Sequence, residues 1–225
     1  MSTAILVDGG FYRKRAQNKL GDRTPLQRAE ELDKYCKRHL SEMHGSKTHD
    51  LYRIFYYDCP PMSKKIYHPF TKKQVDFSKS DLYIWMTDFL EELKRHRKFA
   101  LRMGKLADAQ AMYTLRPDVV KKIFSGSKKI EDITEYDFML QVDQKGVDIK
   151  IGVDIASLAY KRQVDQIVLI SGDSDFVPAA KLARREGIDF ILDSLGAPIK
   201  PDLYEHIDGL RTCDNRFLDS APTRS

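Results

Sequence analysis

Short apolar runs alternate with amphipathic stretches along most of the chain. Residues 4–7 are apolar without period-2 alternation, which is typical of a strand buried on both faces of a parallel sheet. Further strands are predicted at 51–57, 99–103, 166–171 and 188–193. Helices are predicted at 11–20, 25–40, 81–97, 148–161, 176–186 and near 200–210. Strands that alternate with helices indicate an α/β fold with a mainly parallel sheet.

Residues 105–142 interrupt this regular alternation. They contain a Ser-Gly-Ser turn at 125–127 and short mixed runs, which predict a hairpin or a small added sheet. We therefore predict a single domain over residues 1–215, with an elaborated segment at 62–142 that includes the helix at 81–97. Residues 216–225 are predicted to form a polar tail.

The charge is unevenly distributed, although the net charge is only +5. Residues 60–130 carry 16 Lys and Arg against 7 Asp and Glu, whereas the rest of the chain carries 22 against 26. A single basic pair is usually a solvated helix face. Repeated basic clusters in one segment are typical of a surface that binds a polyanion.

Acidic residues follow the predicted strands at positions that meet at one edge of such a sheet. Asp8 ends the first strand, and Asp173 and Asp175 follow the strand at 166–171. Asp148 opens the helix that leads into that strand. If the first strand and the strand at 166–171 are neighbours, the four carboxylates converge at the carboxyl edge, where α/β sheets bind ligands. Two like charges about 4 Å apart repel by roughly 4 kcal/mol at an effective dielectric of 20, so such a cluster requires cations.

The ligand chemistry indicates which cation to expect. Carboxylate oxygens without nearby His or Cys favour Mg²⁺ or Mn²⁺ over zinc, and such ions assist phosphodiester displacement. Asp8 and Asp173 are the leading candidates for metal ligands and catalytic residues, and Asp148 and Asp175 follow as ligands or water-orienting groups. Asp154 is equally compatible with a supporting or a structural role, and Asp58, also at a strand end, is a weaker candidate.

Four motifs in order resemble the NYN domain, the LabA-like branch of the PIN-fold nucleases. They are Val-Asp-Gly-Gly-Phe at 7–11, Tyr-Tyr-Asp-Cys-Pro-Pro at 56–61, Gln-Lys-Gly-Val-Asp at 144–148 with Asp154, and Ser-Gly-Asp-Ser-Asp-Phe-Val-Pro at 171–178. The resemblance runs from about residue 3 to 210. One departure stands next to Asp8, where Gly10 and Phe11 replace the Asp-Gly-x-Asn pattern of many members.

The resemblance implies a PIN-like fold with strand order 3-2-1-4-5, which makes strands one and four neighbours. It also implies Mg²⁺- or Mn²⁺-dependent ribonuclease chemistry at Asp8, Asp148, Asp173 and Asp175. Because some NYN proteins have regulatory or RNA-binding roles, a non-catalytic RNA-binding module is the alternative. A phosphatase of the haloacid dehalogenase type is disfavoured, because its Asp-x-Asp pair would need a carboxylate where Gly10 stands.

Other residues are assigned supporting or RNA-binding roles. Ser171 and Ser174 flank Asp173 and either cap the following helix or hydrogen-bond a carboxylate. Tyr12, Tyr67 and Trp85 offer rings for base stacking, although the apolar face around Trp85 favours a core position. The residues expected to contact the nucleic-acid backbone are Arg13, Lys14, Arg95, Arg97, Lys98 and Lys145.

The expected partner is RNA, single-stranded in preference to duplex, with DNA left open as a substrate and a homodimer compatible with the sequence. No apolar run approaches the roughly 20 residues of a membrane helix, so no membrane partner is expected. The N-terminal residues lack the features of a signal peptide, and three scattered cysteines imply no disulfide framework. A cytoplasmic location is therefore expected.

Overall fold

A computed structural model describes residues 1–41 and 48–218 of the chain. The strands are β1 (Ser2–Asp8), β2 (Asp50–Asp58), β3 (Lys65–His68), β4 (Lys73–Asp76), β5 (Phe99–Met103), β6 (Lys105–Leu106), β7 (Met112–Leu115), β8 (Phe138–Gln141), β9 (Gln144–Lys145), β10 (Gln166–Ile170), β11 (Asp189–Asp193) and β12 (Gly209–Leu210). The helices are α1 (Gly9–Leu20), α2 (Pro25–Arg38), α3 (Asp81–Arg95), α4 (Pro117–Phe124), α5 (Val147–Tyr160), α6 (Val177–Arg185) and α7 (Pro201–Tyr204).

A six-stranded parallel sheet in the order β12-β11-β10-β1-β2-β5 forms the centre of the described chain. Its five longer strands confirm the predicted order 3-2-1-4-5, and β12 extends the edge beside β11. β1 pairs with β2 on one side and β10 on the other, so that Val7 lies opposite both Tyr56 and Ile170. The α/β, PIN-like fold is confirmed.

The apolar run of β1 supplies two separate cores because neighbouring side chains of a strand point to opposite faces. Ala4 and Leu6 pack with α5 and α6, whereas Ile5 and Val7 pack with α1, α2 and α3. All four are fully buried. Helices on both faces explain why β1 lacks polar alternation.

The segment between the regular elements folds into small antiparallel pairs. β3 pairs with β4, β7 with β8, and β6 with β9. The ring of His68 contacts the rings of Tyr113 and Phe138, which joins the first two pairs. Of the hairpin or small added sheet expected within 105–142, the structure shows the small sheet, formed by β7 and β8 with α4 between them. The β3–β4 hairpin has no clear sequence signal in its polar, basic stretch.

The C-terminal part of the chain differs from the prediction in two respects. The helix expected near 200–210 is limited to α7, because residues 209–210 pair with β11 as β12. Phe217, placed in the polar tail by its sequence position, is buried against Tyr35 in the core. The remainder of the predicted tail, 219–225, lies outside the described residues.

Candidate functional site

The carboxyl ends of β1 and β10 bring the predicted acids to one edge of the sheet. Asp8 is the last residue of β1, and Ser171 directly follows β10. The Ser171 Oγ donates a hydrogen bond of 3.2 Å to Asp8 Oδ2 and accepts one of 3.3 Å from the backbone N–H of Asp173. Ser171 therefore connects Asp8 with the loop that carries Asp173.

Asp8 is the N-terminal cap of α1 as well as a candidate ligand. Its Oδ1 accepts a hydrogen bond of 3.1 Å from the backbone N–H of Phe11. Burial raises the pKa of Asp8 above its ordinary value, and the charges of Asp148 and Asp58 raise it further, against the opposing effect of its two hydrogen bonds. The carboxylate is thus held rigidly in a setting that disfavours its charge.

The remaining three acids occupy exposed positions at the same edge. Asp173 caps a 3₁₀ turn at Ser174–Phe176 and accepts a hydrogen bond of 3.0 Å from the Asp175 N–H. Asp148 lies in the first turn of α5. Desolvation raises the pKa of Asp148, and the charges of Asp173 and Asp175 raise it further. Asp8, Asp148, Asp173 and Asp175 therefore form one electrostatically coupled group, here named the acidic cluster.

No ion pair neutralises the acidic cluster within the described residues, and Lys200 approaches the loop that carries Asp173 and Asp175. Lys200 Nζ donates a hydrogen bond of 3.0 Å to the hydroxyl of Ser174, which lies between Asp173 and Asp175. Sequence reasoning missed Lys200, because its position depends on how the chain returns after β11. A second residue without a local signal is Phe11, whose ring lies 2.7 Å from where a Cβ on Gly172 would stand.

The donor chemistry of the acidic cluster suits a hard divalent cation. Across residues 1–41 and 48–218, no three His, Cys, Asp or Glu side chains stand close enough together to hold a metal ion as a preformed set. Mg²⁺ nevertheless commonly takes only one or two protein carboxylates and completes its shell with water and substrate phosphates. Burial raises the pKa of Asp8 and of Asp148, and repulsion between the carboxylates raises both further; a bound cation would offset these effects by favouring the ionised forms.

The other two acidic candidates are engaged in structural contacts. Asp58 is buried and accepts hydrogen bonds from Arg13, at 2.9 and 3.1 Å, and from Tyr56 at 2.9 Å. Asp154 accepts hydrogen bonds of 2.8 Å from Tyr57 and 3.1 Å from Arg102. These partners account for both carboxylates without a ligand.

The predicted RNA-binding residues divide between the two edges of the sheet. Lys14, Lys145 and Arg13 lie on elements at the carboxyl edge, although the guanidinium of Arg13 is committed to Asp58. Arg95, Arg97 and Lys98 come just before the amino end of β5, because a helix between parallel strands returns the chain to the amino edge. Lys98 accordingly bonds the carbonyl of Leu51, near the start of β2. A shared surface for these three residues and the acidic cluster is thus a prediction that the fold does not support.

The aromatic candidates are also separated by the fold. Tyr12 is fully buried, which excludes base stacking. Tyr67 is 55% exposed on β3. Trp85 is half-buried: its ring stacks on the buried Phe89 with a centroid distance of 5.0 Å, and its Nε1 donates to the carbonyl of Arg23 at 2.9 Å. Trp85 thus belongs partly to the core and partly to the surface.

An open groove lies between α1 and α3, and it reaches the start of α1 two residues after Asp8. Its volume is about 570 Å³, and Gly10, Lys14, Arg23 and Trp85 are among the residues that line it. Gly10 ties the groove to the cluster, because a Cβ on this residue would lie 3.6 Å from Asp8 Oδ1. We refer to it as the Trp85 groove.

Comparison with known proteins identifies a family and some distant likenesses. The NYN domain family matches residues 86–203, more than half of the chain. The uncharacterized protein MJ0482 of Methanocaldococcus jannaschii is 28% identical over 122 residues, which are 45% of this chain and 51% of that protein. The chain therefore spans about half the length of this curated relative.

The solved structures include a protein of unknown function, VPA0982 from Vibrio parahaemolyticus. It aligns with a TM-score of 0.48 and 14% identity over 96% of this chain and 95% of that chain. Within the part of the chain that the structure describes, no helix is both long and apolar enough to cross a membrane.

Proposed function

The chain belongs to the NYN domain family of PIN-like proteins, and on this basis we propose that it is a ribonuclease that uses Mg²⁺ or Mn²⁺ to hydrolyse phosphodiester bonds of single-stranded RNA. The observation that carries the proposal is the pairing of β1 with β10, which places Asp8 beside the loop of Asp173. Four coupled carboxylates without an ion pair among the described residues destabilise the folded protein, so a structural role does not explain them. A catalytic cation, which they would bind, explains their arrangement.

Asp8 and Asp173 would hold the cation, and Asp148 and Asp175 would orient the water molecules that complete its shell. A bound divalent cation supplies positive charge for the phosphate oxygens and makes a water molecule more acidic. Asp8 is the most rigid of the four because its carboxylate is fixed by two hydrogen bonds. Asp173 is similarly fixed as a cap, so both residues keep their positions when substrate approaches.

Asp148 is suited to receive the proton of the attacking water. Its pKa is raised and its side chain is exposed at the start of α5, so it combines access to solvent with a greater proton affinity than an ordinary Asp. Lys145 precedes Asp148 by three residues, and Lys200 bonds the hydroxyl of Ser174 between Asp173 and Asp175; both lysines are exposed. They provide positive charge for the neighbouring phosphates of the strand.

The decisive experiment compares cleavage of labelled single-stranded RNA by the wild type, Asp8→Asn and Asp173→Asn, with and without Mg²⁺ or Mn²⁺. Asn caps helices as well as Asp does, so both substitutions preserve the local fold while removing charge. We expect each to reduce the metal-dependent rate at least about 100-fold. The matched control is Asp143→Asn, which changes an exposed acid in the loop before β9 and is expected to retain activity. Cleavage that survives both substitutions would refute the assignment.

A non-catalytic RNA-binding module is the second candidate. It is favoured by the lack of a preformed three-ligand set among the described residues and by Phe11 and Gly10 at the positions next to Asp8. This function predicts salt-sensitive RNA binding without products in any divalent cation. Product formation that depends on Asp173 excludes it.

A further inference from the structure

The Trp85 groove presents an aromatic ring next to an exposed apolar side chain. Trp85 and Leu82 are three residues apart on α3 and so lie on the same face of the helix. Leu82 is 65% exposed. Because Trp85 contacts the buried Phe89 on the core side, the remaining surface of its ring borders the groove.

The Trp85 ring is held in place before any ligand arrives. Its Nε1 is bonded to the carbonyl of Arg23, and its stacking on Phe89 has an interplanar angle of only 19°. An aromatic side chain fixed at two points loses little entropy when a flat ligand stacks on it. The site is therefore preorganised for a planar group.

The charges of the groove favour an anionic ligand. Arg13, Lys14, Arg23 and Arg28 line it against only Asp22 and Asp81. Arg13 and Arg28 are occupied by Asp58 and Glu31, whereas Lys14 is exposed and makes no hydrogen bond or ion pair with described residues. Arg23 lies 3.9 Å from Glu31 and is 39% exposed. Lys14 and Arg23 are thus the cations available to a phosphate.

From these observations we propose that the Trp85 groove binds one base of a single-stranded RNA next to the cleavage position, by stacking on Trp85, while Lys14 and Arg23 contact the adjoining phosphates. This inference rests on the proposed ribonuclease function and specifies how the strand is held. The volume of about 570 Å³ is ample for one nucleotide, and Gly10, which lines the groove, lies two residues after Asp8 at the start of α1.

The fluorescence of Trp85 tests the contact directly, because this residue is the one tryptophan of the chain. The Asp173→Asn variant, which keeps the RNA intact, is titrated with a short oligoadenylate RNA and separately with adenosine monophosphate. We expect saturable quenching by the oligonucleotide and at least about ten-fold weaker binding of the mononucleotide, which lacks the flanking phosphates. Unchanged fluorescence under conditions where RNA binds would overturn the proposal, as would equal affinity for the mononucleotide.

Substitutions at Trp85 separate stacking from packing. Trp85→Phe keeps an aromatic face, whereas Trp85→Leu keeps apolar volume without one. In anisotropy titrations with labelled RNA, we expect Trp85→Phe to bind within about three-fold of the parent and Trp85→Leu about ten-fold more weakly. If Trp85→Leu melts like the parent and binds RNA equally well, the stacking role is refuted.

A charge-reversal pair tests the phosphate contact. Lys14→Glu is expected to weaken RNA binding about ten-fold at low salt. The control is Lys181→Glu, at an exposed position on α6, which changes the net charge equally and is expected to have little effect. Equal effects of the two substitutions would contradict a local contact.

The two proposals fail in different ways. Quenching by RNA without metal-dependent products would refute the ribonuclease assignment and leave the groove intact. Asp173-dependent cleavage with unaltered Trp85 fluorescence would refute the groove and leave the ribonuclease assignment intact.

Discussion

The hydroxyl of Ser171 donates a hydrogen bond of 3.2 Å to the carboxylate of Asp8, although 163 residues separate the two in the chain. The contact exists because β1 and β10 are parallel neighbours that end at the same level, with Val7 opposite Ile170. It links the two halves of the acidic cluster.

We expect Ser171→Ala to shift the pH dependence of RNA cleavage. The Ser171 hydroxyl lowers the pKa of Asp8, so its loss raises that pKa, and a higher pH is then needed to ionise Asp8. The acidic limb of the pH–rate profile should move to higher pH. Ser174→Ala is the control, because the Ser174 hydroxyl is bonded to Lys200 and not to Asp8. Identical profiles for the two variants and the wild type would contradict this role.

Asp148→Asn is expected to stabilise the metal-free protein at pH 7. The folded state raises the pKa of Asp148, so protonation of this carboxyl group favours the folded state. This contribution to stability is complete below the unfolded pKa of 3.8 and is lost as the pH rises through the folded pKa. At pH 7 the ionised carboxylate is therefore unfavourable, and its removal should raise Tm by roughly 1–3 °C, a difference that disappears near pH 3. Asp143→Asn serves as control. Saturating Mg²⁺ should raise the Tm of the wild type more than that of Asp148→Asn.

Two glycines near the site are expected to respond oppositely to alanine. At Gly172 an added Cβ would lie 2.7 Å from the Phe11 ring, so Gly172→Ala should lower the free energy of unfolding by about 1–3 kcal/mol. At Gly152, within α5, nothing lies within 4 Å, and Gly152→Ala should raise it by roughly 0.5–1 kcal/mol. Urea denaturation measures both. On a Phe11→Ala background the cost of Gly172→Ala should largely vanish, and its persistence would show that the ring is not the obstacle.

Arg13→Ala is expected mainly to lower the stability of the folded protein, because Arg13 pairs with the buried Asp58. Asp58 has no exposed side-chain surface, and the loss of Arg13 would leave its charge buried and unpaired, at a cost of about 3–5 kcal/mol. The Arg102–Asp154 pair is more exposed, at 46% and 22%, so Arg102→Ala should cost about 1 kcal/mol. Equal urea midpoints for the two variants would show that the Arg13 pair is not needed to hold Asp58.

We expect the buried His39 to make the folded protein less stable at alkaline pH. Burial alone would lower the pKa of His39, but its hydrogen bond of 2.9 Å to Asp193 and the charge of that carboxylate raise it to about 9. The protonated His39 therefore stabilises the folded protein fully below its unfolded pKa of 6.5. This contribution is lost as the pH rises through the folded pKa of about 9. The urea midpoint of the wild type should fall across this interval, whereas that of His39→Asn should be flatter. Parallel curves would contradict the pairing.

The alternation of strands and helices, and the acids that end the strands, are readable from local sequence alone. Uninterrupted apolar residues at 4–7 require burial on both faces, and this local requirement predicts β1 without any knowledge of its neighbours. The same holds for Asp173, whose role as a cap after β10 follows from adjacent residues. The resemblance to the NYN domain then supplied the strand order.

Which charged residues remain available for a ligand depends on contacts that form only in the folded chain. Arg13 and Asp154 looked functional in sequence, yet partners distant in the chain, Asp58 and Arg102, engage them. The contact between Lys200 and Ser174 has no local signal in the sequence, because the two residues meet only in the folded chain. The Trp85 groove likewise forms where separate segments of the chain come together. Hydrophobic periodicity is a property of neighbouring residues, whereas charge pairing depends on contacts between remote ones. The fold and the acids at the sheet edge were therefore predictable, while the charged residues that pair elsewhere were not.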